Sequence, residues 1–324
     1  MKGKIAIIGA GITGLTLAQF LQNTFEVSIY EKSWRPGGRM STRHSDEFQF
    51  DHGTQYFTIR STEFRNFLNK AILDGIVMPW EARFMAFNGC TALEYEERQE
   101  IVYVGAPSMN SLCQYLARDL DIKCDTSVQN CRYDAEGWFL SIEKGIEEGP
   151  FDILISTIPG PQNGDLFAKD ITLWDSLAGV QMRGCSTLML GFNDSVDIAW
   201  EGAIVSNSPI GWIGLDSSKP RRSNNTSLVV QSTGDWGDKL LNAGTSQIED
   251  LMLEELKKIS GIDGWLASHR SLHRWRYAGT SKAAGQKYFL DPVGKLAICG
   301  DWCIKGRVEG AFKSAEALAK VLLQ

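Results

Sequence analysis

The chain has 324 residues, a formal net charge of −6 and a sequence pI near 5.4, with 43% hydrophobic and 22% charged residues. That length suits two domains of ordinary size, and the acidic balance argues against a general nucleic-acid binder, whose phosphate affinity needs a basic footprint. Seven scattered cysteines, an odd count with no CxxC, fit a reducing compartment, and no run of about 18 apolar residues predicts a membrane span, so a cytoplasmic protein without nucleic-acid or membrane partners is expected.

The N-terminus, "MKGKIAIIGAGITGLTLAQFL", has the basic start and apolar stretch of a signal peptide, but three glycines interrupt it. Residues 4–8 are a short β-branched run, suited to a central parallel strand. Gly9, Gly11 and Gly14 follow with G-x-G-x-x-G spacing, and Thr13 lies in the same turn. Gly9 permits the turn, Gly11 leaves room for a pyrophosphate, and Gly14 lets the helix pack on the strand. The helix N-terminus would aim free N–H groups at phosphates. A second strand, "EVSIYE", ends at Glu31, 22 residues beyond Gly9 and followed by Lys32, where a carboxylate can hold ribose hydroxyls. This unit predicts a dinucleotide site without separating NAD from FAD.

The next stretch, "EKSWRPGGRMSTR", places Gly37, Gly38, Arg39 and Met40 just after that acid. Its glycines allow close backbone approach, and Arg39 can neutralise a pyrophosphate. It resembles the second glycine signature of the flavin-containing amine oxidase superfamily, which implies FAD. "FQFDHGTQYFT" resembles the Asp-x-Gly-x-Gln-Tyr segment of renalase-like flavoproteins, implying that Gln55 and Tyr56 lie against the flavin. Those proteins usually carry an apolar residue where this chain has His52 and a small one where it has Thr54. His52 is read as a hydrogen-bonded structural histidine.

Residues 62–77 show helical apolar spacing at Phe64, Phe67, Leu68, Ala71 and Ile72, and short strands follow. "APSMNSLCQYLARDL" reads as a helix with Pro107 at its start and Ser108 as a possible cap. "VQNCRYD" and "WFLSIEK" read as a hairpin pair. Val128 matches the position where the superfamily holds adenine through backbone. "FDILISTIPGPQ" is a buried strand with a Gly/Pro turn, a crossover out of the cofactor domain.

From about 161 to 284 strand-like runs dominate, with one amphipathic helix, "SQIEDLMLEELKKIS". An antiparallel sheet with helices on one face is expected. "DSSKPRRSNN" (216–225) reads as a solvent loop. Ten tryptophans are present, and Trp212, Trp236, Trp265, Trp275 and Trp302 fall here or at the seam, as core or as a pocket stacking on a planar ring. On a strand, His273, Trp275 and Tyr277 of "HRWRYA" share one face, with Arg274 and Arg276 on the other. His269 and His273 are four apart but lack the HExxH glutamate, and no metal site is expected.

The chain closes on "LAICGDWCIKGRVEGAF". A parallel strand would deliver Gly300 and Asp301 to its carboxyl edge. In flavoproteins of this type such a Gly-Asp pair binds a ribityl hydroxyl. The helix beginning near Val308 and Glu309 would aim N–H groups at the flavin N1–C2=O edge, stabilising negative charge there by roughly 0.3–1 kcal/mol.

With "YVGAPSM" and "SNSPIGWIGLDSSKP", these pieces in this order resemble the renalase family, especially its bacterial members, over the whole chain. The resemblance implies an α/β fold: a Rossmann-like FAD-binding domain of the two-glycine-signature type with an α+β substrate domain on an antiparallel sheet. Residues 1–60, 105–160 and 285–324 would form the first domain, and 61–104 and 161–284 the second. It further implies non-covalent FAD and oxidation of the 2- and 6-dihydro isomers of NAD(P)H to NAD(P)+. Hydride passes to flavin N5, and dioxygen is reduced to hydrogen peroxide. His273, Trp275 and Tyr277 are the expected catalytic pocket. A flavin amine oxidase or desaturase, and a flavin-binding protein without turnover, are the rival readings. An NAD-dependent dehydrogenase would leave the Gly-Gly-Arg and Gly-Asp features idle.

Overall fold

A computed structural model describes residues 2–45, 47–95, 99–167, 173, 177, 179–291 and 295–324. One sheet has the spatial order Asp121–Lys123, Glu26–Tyr30, Lys4–Ile8, Ile153–Ser156, Leu296–Cys299 and Tyr288–Leu290. All neighbours run parallel except the last pair. Both faces of this sheet are covered, which is why its inner strands read as unbroken apolar runs. Ile5 and Ile7 point to one face, where the helices Ile12–Leu21 and Val308–Leu322 pack through Leu15, Ala18, Ala311 and Ala315. Ala6 and Ile8 point to the other. There a three-stranded antiparallel sheet, Val128–Tyr133, Trp138–Ile142 and Ile146–Phe151, brings in Trp138, Leu140 and Phe151.

The second large sheet has seven strands in the order His269–Lys282, Gln181–Phe192, Thr226–Ser232, Ile210–Leu215, Gly202–Ser206, Phe84–Asn88 and Thr91–Tyr95. It is antiparallel except that Gly202–Ser206 and Phe84–Asn88 run parallel. The helix Thr245–Ser260 lays Ile248, Met252, Leu253 and Leu256 on one face. A small sheet, Phe57–Thr58, Val102–Gly105 and Val77–Pro79, and the helix Thr62–Leu73 stand where the chain passes between the two large sheets. The ring of Phe64 lies 5.1 Å from that of Phe312, tying this helix to the C-terminal one.

Three local expectations change. The helix expected over 62–77 stops at Leu73, and Gly75 turns the chain at φ +67. The helix expected from Pro107 is confined to Ser111–Leu116, and Ser108 does not cap it. Instead the Ser108 and Ser111 hydroxyls bond each other at 2.9 Å, and Asn110 Nδ2 donates to Pro36 O at 2.6 Å. Residues 216–225 are not a solvent loop. The side chains of Asp216, Lys219 and Arg222 are fully buried, because each finds an opposite charge inside the protein.

Candidate active site

The carboxyl edge of the parallel sheet gathers four chain segments. From the first strand comes the Gly9–Gly14 turn. A Cβ built on Gly14 would lie 2.1 Å from Gly9 O, so only glycine lets this helix start so close to its strand. A Cβ on Gly11 would meet no protein atom within 4 Å. The space beside Gly11 is therefore open to a ligand. Thr13 is buried in the first turn of a helix whose N-terminus has no side-chain cap, leaving N–H groups for a ligand.

From the second strand comes Glu31, 6% exposed. Its carboxylate accepts the Ala10 N–H at 2.9 Å and the Ser33 N–H at 2.8 Å, one bond per oxygen. Each oxygen keeps a lone pair for a hydroxyl. Lys32 beside it is exposed. Thr126 N donates to Glu31 O at 2.9 Å, which brings the strand that starts at the half-buried Val128 to the same edge.

The Gly37–Gly38–Arg39 turn is the third segment. A Cβ on Gly38 would lie 3.4 Å from Gly11 Cα, so the two glycine turns face each other. Met40 is buried beneath them. Arg39 reaches the fourth segment. Its Nη1 donates to Asp301 Oδ2 at 3.0 Å and to Ala278 O at 3.2 Å, and its Nη2 bonds Asp301 Oδ1. Gly300 N donates to Ser314 Oγ at 2.9 Å, fixing the strand end to the C-terminal helix. That helix also starts without a side-chain cap. Val308 is buried at its first turn. The Glu309 side chain turns elsewhere, accepting the Arg60 and Ser61 N–H groups at 2.8 and 3.0 Å and pairing with Lys313 at 2.7 Å. Burial pushes the Glu309 carboxyl up, but Lys313 and those N–H groups overcome it and hold it below the usual range. The Glu309 carboxylate is thus committed inside the protein, and the uncapped backbone N–H groups at this helix start are open to a cofactor.

Next to this cradle stands a ring cluster. The His52 ring stacks on Trp275 at 5.2 Å and meets His273 edge-on at 4.9 Å, and His273 and Trp275 are 4.4 Å apart. Trp275 Nε1 donates to His52 O at 2.9 Å. Both imidazoles are held neutral. Burial, then His273 and Arg43, takes His52 down to about 3. Burial and Arg43 take His273 down to about 4. Arg43 Nη2 lies 3.5 Å from His273 Nδ1, which makes that nitrogen the acceptor. Tyr277 is half-buried in a bulge, since Cys185 pairs with Trp275 but Arg183 pairs with Gly279. Burial still alternates through it, with His273, Trp275 and Tyr277 half-buried and Arg274 and Arg276 exposed.

Gln55 is spent inside the protein. Its Nε2 donates to Asp51 O at 2.5 Å and Gly53 O at 3.2 Å, and its Oε1 accepts Trp212 Nε1–H at 3.2 Å. Tyr56 joins a second ring group, 5.5 Å from Trp212 and 5.7 Å from Phe84. Thr54 bonds Arg39 O through its N–H at 2.8 Å and its hydroxyl at 3.1 Å. His52, expected as a structural histidine, packs into the ring cluster. Its place in a period-two run, "FQFDH", was the available signal. Trp212 and Trp275 hold the 51–55 segment, whereas Trp302 is buried core bonded to Ile158 O at 3.0 Å. Among the described residues no group of three His, Cys, Asp or Glu stands together as a metal site. No described helix is long and apolar enough to cross a membrane.

Comparison with known proteins agrees with this arrangement. Residues 7–71 match the family model of the NAD(P)-binding Rossmann-like domain, and residues 79–323 that of flavin containing amine oxidoreductase. Renalase of Mus musculus is 23% identical over 98% of this chain and 98% of its own length. Coproporphyrinogen III oxidase of Staphylococcus aureus is 40% identical, but over only 19% of this chain and 14% of that protein. The crystal structure of a putative protoporphyrinogen oxidase from Exiguobacterium superposes with a TM-score of 0.79 at 13% identity, covering 99% of both chains. A putrescine oxidase structure gives 0.73 at 11%, covering 100% of both. The residues present fit FAD: open space at Gly11, a carboxylate with spare lone pairs at Glu31, two uncapped helix starts and the Arg39 cation on one edge.

Proposed function

The chain belongs to the flavin-containing amine oxidoreductase family and is an FAD-dependent oxidase, and on that footing we propose that its donors are the 2- and 6-dihydro isomers of NAD(P)H, oxidised to NAD(P)+. FAD, when bound, would supply a two-electron acceptor for the donor's hydride, with dioxygen and a proton from solvent giving hydrogen peroxide on reoxidation. Gly9, Gly11, Thr13 and Gly14 would receive the pyrophosphate with Gly38 and Arg39, Glu31 the ribose, and Val128 the adenine. Met40, Gln55 and Tyr56 would back the flavin, and Gly300, Asp301 and the Val308–Glu309 backbone would hold its ring end.

The observation that carries the substrate reading is the neutral ring cluster of His52, His273 and Trp275. A dihydropyridine that loses hydride becomes an aromatic cation and has no proton to give up. No strong base is needed, and the two imidazoles, weak bases while buried and uncharged, do not repel the cation formed. Asp51, whose field reaches His52, is already bonded to Lys219 and Arg222. Stacking and orientation then set the rate, with Trp275, His273 and Tyr277 lining the pocket. We assign residues 1–60, 105–160 and 285–324 to the FAD half and 61–104 and 161–284 to the substrate half. A cytoplasmic location is supported by seven free cysteines.

Anaerobic mixing of the flavin-loaded protein with each donor tests the proposal. The 2- and 6-dihydro isomers should bleach the flavin absorbance within seconds, and ordinary amines should not. Bleaching by amines alone would install the amine oxidase reading instead. Flavin that stays oxidised with every donor would leave a binding protein without turnover.

A further inference from the structure

Four charged side chains that the chemistry above does not use lie fully buried together: Asp51, Asp216, Lys219 and Arg222. Asp51 is the centre. Its Oδ2 accepts from Lys219 Nζ at 3.1 Å and Arg222 Nη2 at 2.6 Å, and its Oδ1 accepts from Thr42 Oγ1 at 2.6 Å and Met109 N at 3.0 Å. Asp216 accepts the Asp51 N–H at 2.9 Å and also bonds Lys219. Arg222 Nη2 continues to Gly105 O at 3.0 Å. Two acids and two bases cancel. Buried ion groups of this kind are often no more stabilising than apolar residues of the same volume, so stability alone does not account for them.

Their connections run to both sides of the active site. Through Thr42 Oγ1, which accepts the Asn110 N–H at 3.3 Å, the network reaches Asn110, whose Nδ2 holds Pro36 O at 2.6 Å. Pro36 begins the Gly37–Gly38–Arg39 turn. In the other direction, Asp51 O holds Gln55. The segment between them is gripped by Gln231 Nε2 on Gly53 O at 2.7 Å and by Trp275 on His52 O at 2.9 Å. A Cβ on Gly53 would lie 2.1 Å from Arg39 O and 3.4 Å from Trp275 Cζ2, so the glycine turn and the ring cluster are in contact here. Lys219 and Arg222 come from a turn between strands of the seven-stranded sheet, more than 160 residues away in sequence.

We propose that Asp51, clamped by Lys219 and Arg222, is a positioning residue that fixes the Gly37–Arg39 turn and the His52–Gln55 segment relative to one another, and so fixes where the flavin meets the ring cluster. The proposal concerns the FAD site and stands whichever donor reduces it.

Thr42→Val is the mild test, since it keeps the shape and all four charges and removes only the hydroxyl, with its two bonds to Asp51 and Asn110. The variant, loaded with FAD, should fold, shift the flavin midpoint potential measurably, and lower kcat about tenfold or more with the donor KM little changed. Asp51→Asn combined with Lys219→Met is the stronger test, because it restores charge balance after the central carboxylate is lost. Its melting temperature should recover relative to Asp51→Asn alone, while the potential and the flavin spectrum stay displaced. A Thr42→Val protein with wild-type potential and kcat would overturn the proposal. So would a double variant in which the flavin properties recover together with the melting temperature.

Discussion

Arg39 and Asp301, 262 residues apart in the sequence, meet through two bonds, Nη1 to Oδ2 at 3.0 Å and Nη2 to Oδ1. The pair joins the second glycine turn to the end of the last parallel strand. It also places a cation and an anion side by side where a diphosphate and a ribityl chain are proposed to lie. The two partners should therefore respond unequally to replacement. Arg39→Met removes the cation and leaves Asp301, 9% exposed in its side chain, facing the diphosphate. A hydrogen bond from a charged group to the diphosphate is worth about 1.5–3 kcal/mol, so FAD should bind at least about tenfold more weakly. Asp301→Asn frees the Arg39 cation and keeps a hydrogen-bonding side chain, so its loss should be smaller. Titration of apoprotein with FAD, followed by flavin fluorescence quenching, gives both constants. Equal losses would mean that Arg39 does not face the diphosphate.

Two glycines three residues apart should fail in different ways. Gly14→Ala places a methyl 2.1 Å from Gly9 O, so the strand–helix junction must open and the apoprotein should melt lower. Gly11→Ala meets no protein atom. The apoprotein should melt as the wild type does, or slightly higher through the helix-side loss of chain entropy. FAD should bind poorly, because the methyl fills the phosphate's place. Thermal melts with and without FAD separate the cases: Gly11→Ala should lose only the FAD-dependent rise.

The imidazoles give a pH dependence with a definite sign. In the unfolded chain histidine titrates near about 6.5. In the folded protein burial, His273 and Arg43 lower His52 to about 3, and burial and Arg43 lower His273 to about 4. Between those values the unfolded chain takes up protons that the folded one refuses. Stability is therefore full above about pH 6.5 and falls as pH drops toward 4. Most carboxylates titrate below about 5, so the window from pH 6.5 to 5 isolates the imidazoles. Melting temperatures of wild type and of His52→Gln/His273→Gln over that window should differ in slope, the variant being flatter. Parallel slopes would place the acid sensitivity elsewhere.

Much of the cofactor edge was legible because its signals are local. Residues 4–14 carry strand, turn and helix in sequence, and the acid at 31 closes the next strand. Asp301 could be read from a buried run that stops just before it. The Asp51 quartet could not. Lys219 and Arg222 sit in a polar stretch whose composition reads as solvent-facing, and the carboxylate they share is 168 and 171 residues away. The segment 107–110 looked like a helix start because Pro and Ser favour one. Tertiary demand won there, with Asn110 committed to Pro36. The period-two reading of "HRWRYA" placed His273 and Trp275 together correctly. It could not supply His52, which arrives from the segment following the strand Phe48–Phe50.

Trp275 separates cofactor binding from chemistry more cleanly than any cradle residue. Its indole stacks on His52 and its Nε1 donates to His52 O at 2.9 Å, so ring and N–H do different work. Trp275→Phe keeps an aromatic face and deletes the donor. His52 O retains only the longer bond from Gln231 Nε2, at 3.4 Å. The lost bond should lower stability by about 1 kcal/mol. Trp275 donates no bond to Glu31, Arg39 or Asp301, so FAD affinity should hold within about twofold. The His52–Gly53 backbone, released on one side, should let the stacked face drift, and reduction by a good donor should slow about tenfold at saturation. Trp275→Leu removes the stacking face as well and should slow it further at the same FAD affinity. Stopped-flow reduction under anaerobic conditions, with FAD affinity measured on the same preparations, checks the ordering. Loss of FAD binding in step with the rate would assign Trp275 to the cradle instead of to the donor pocket.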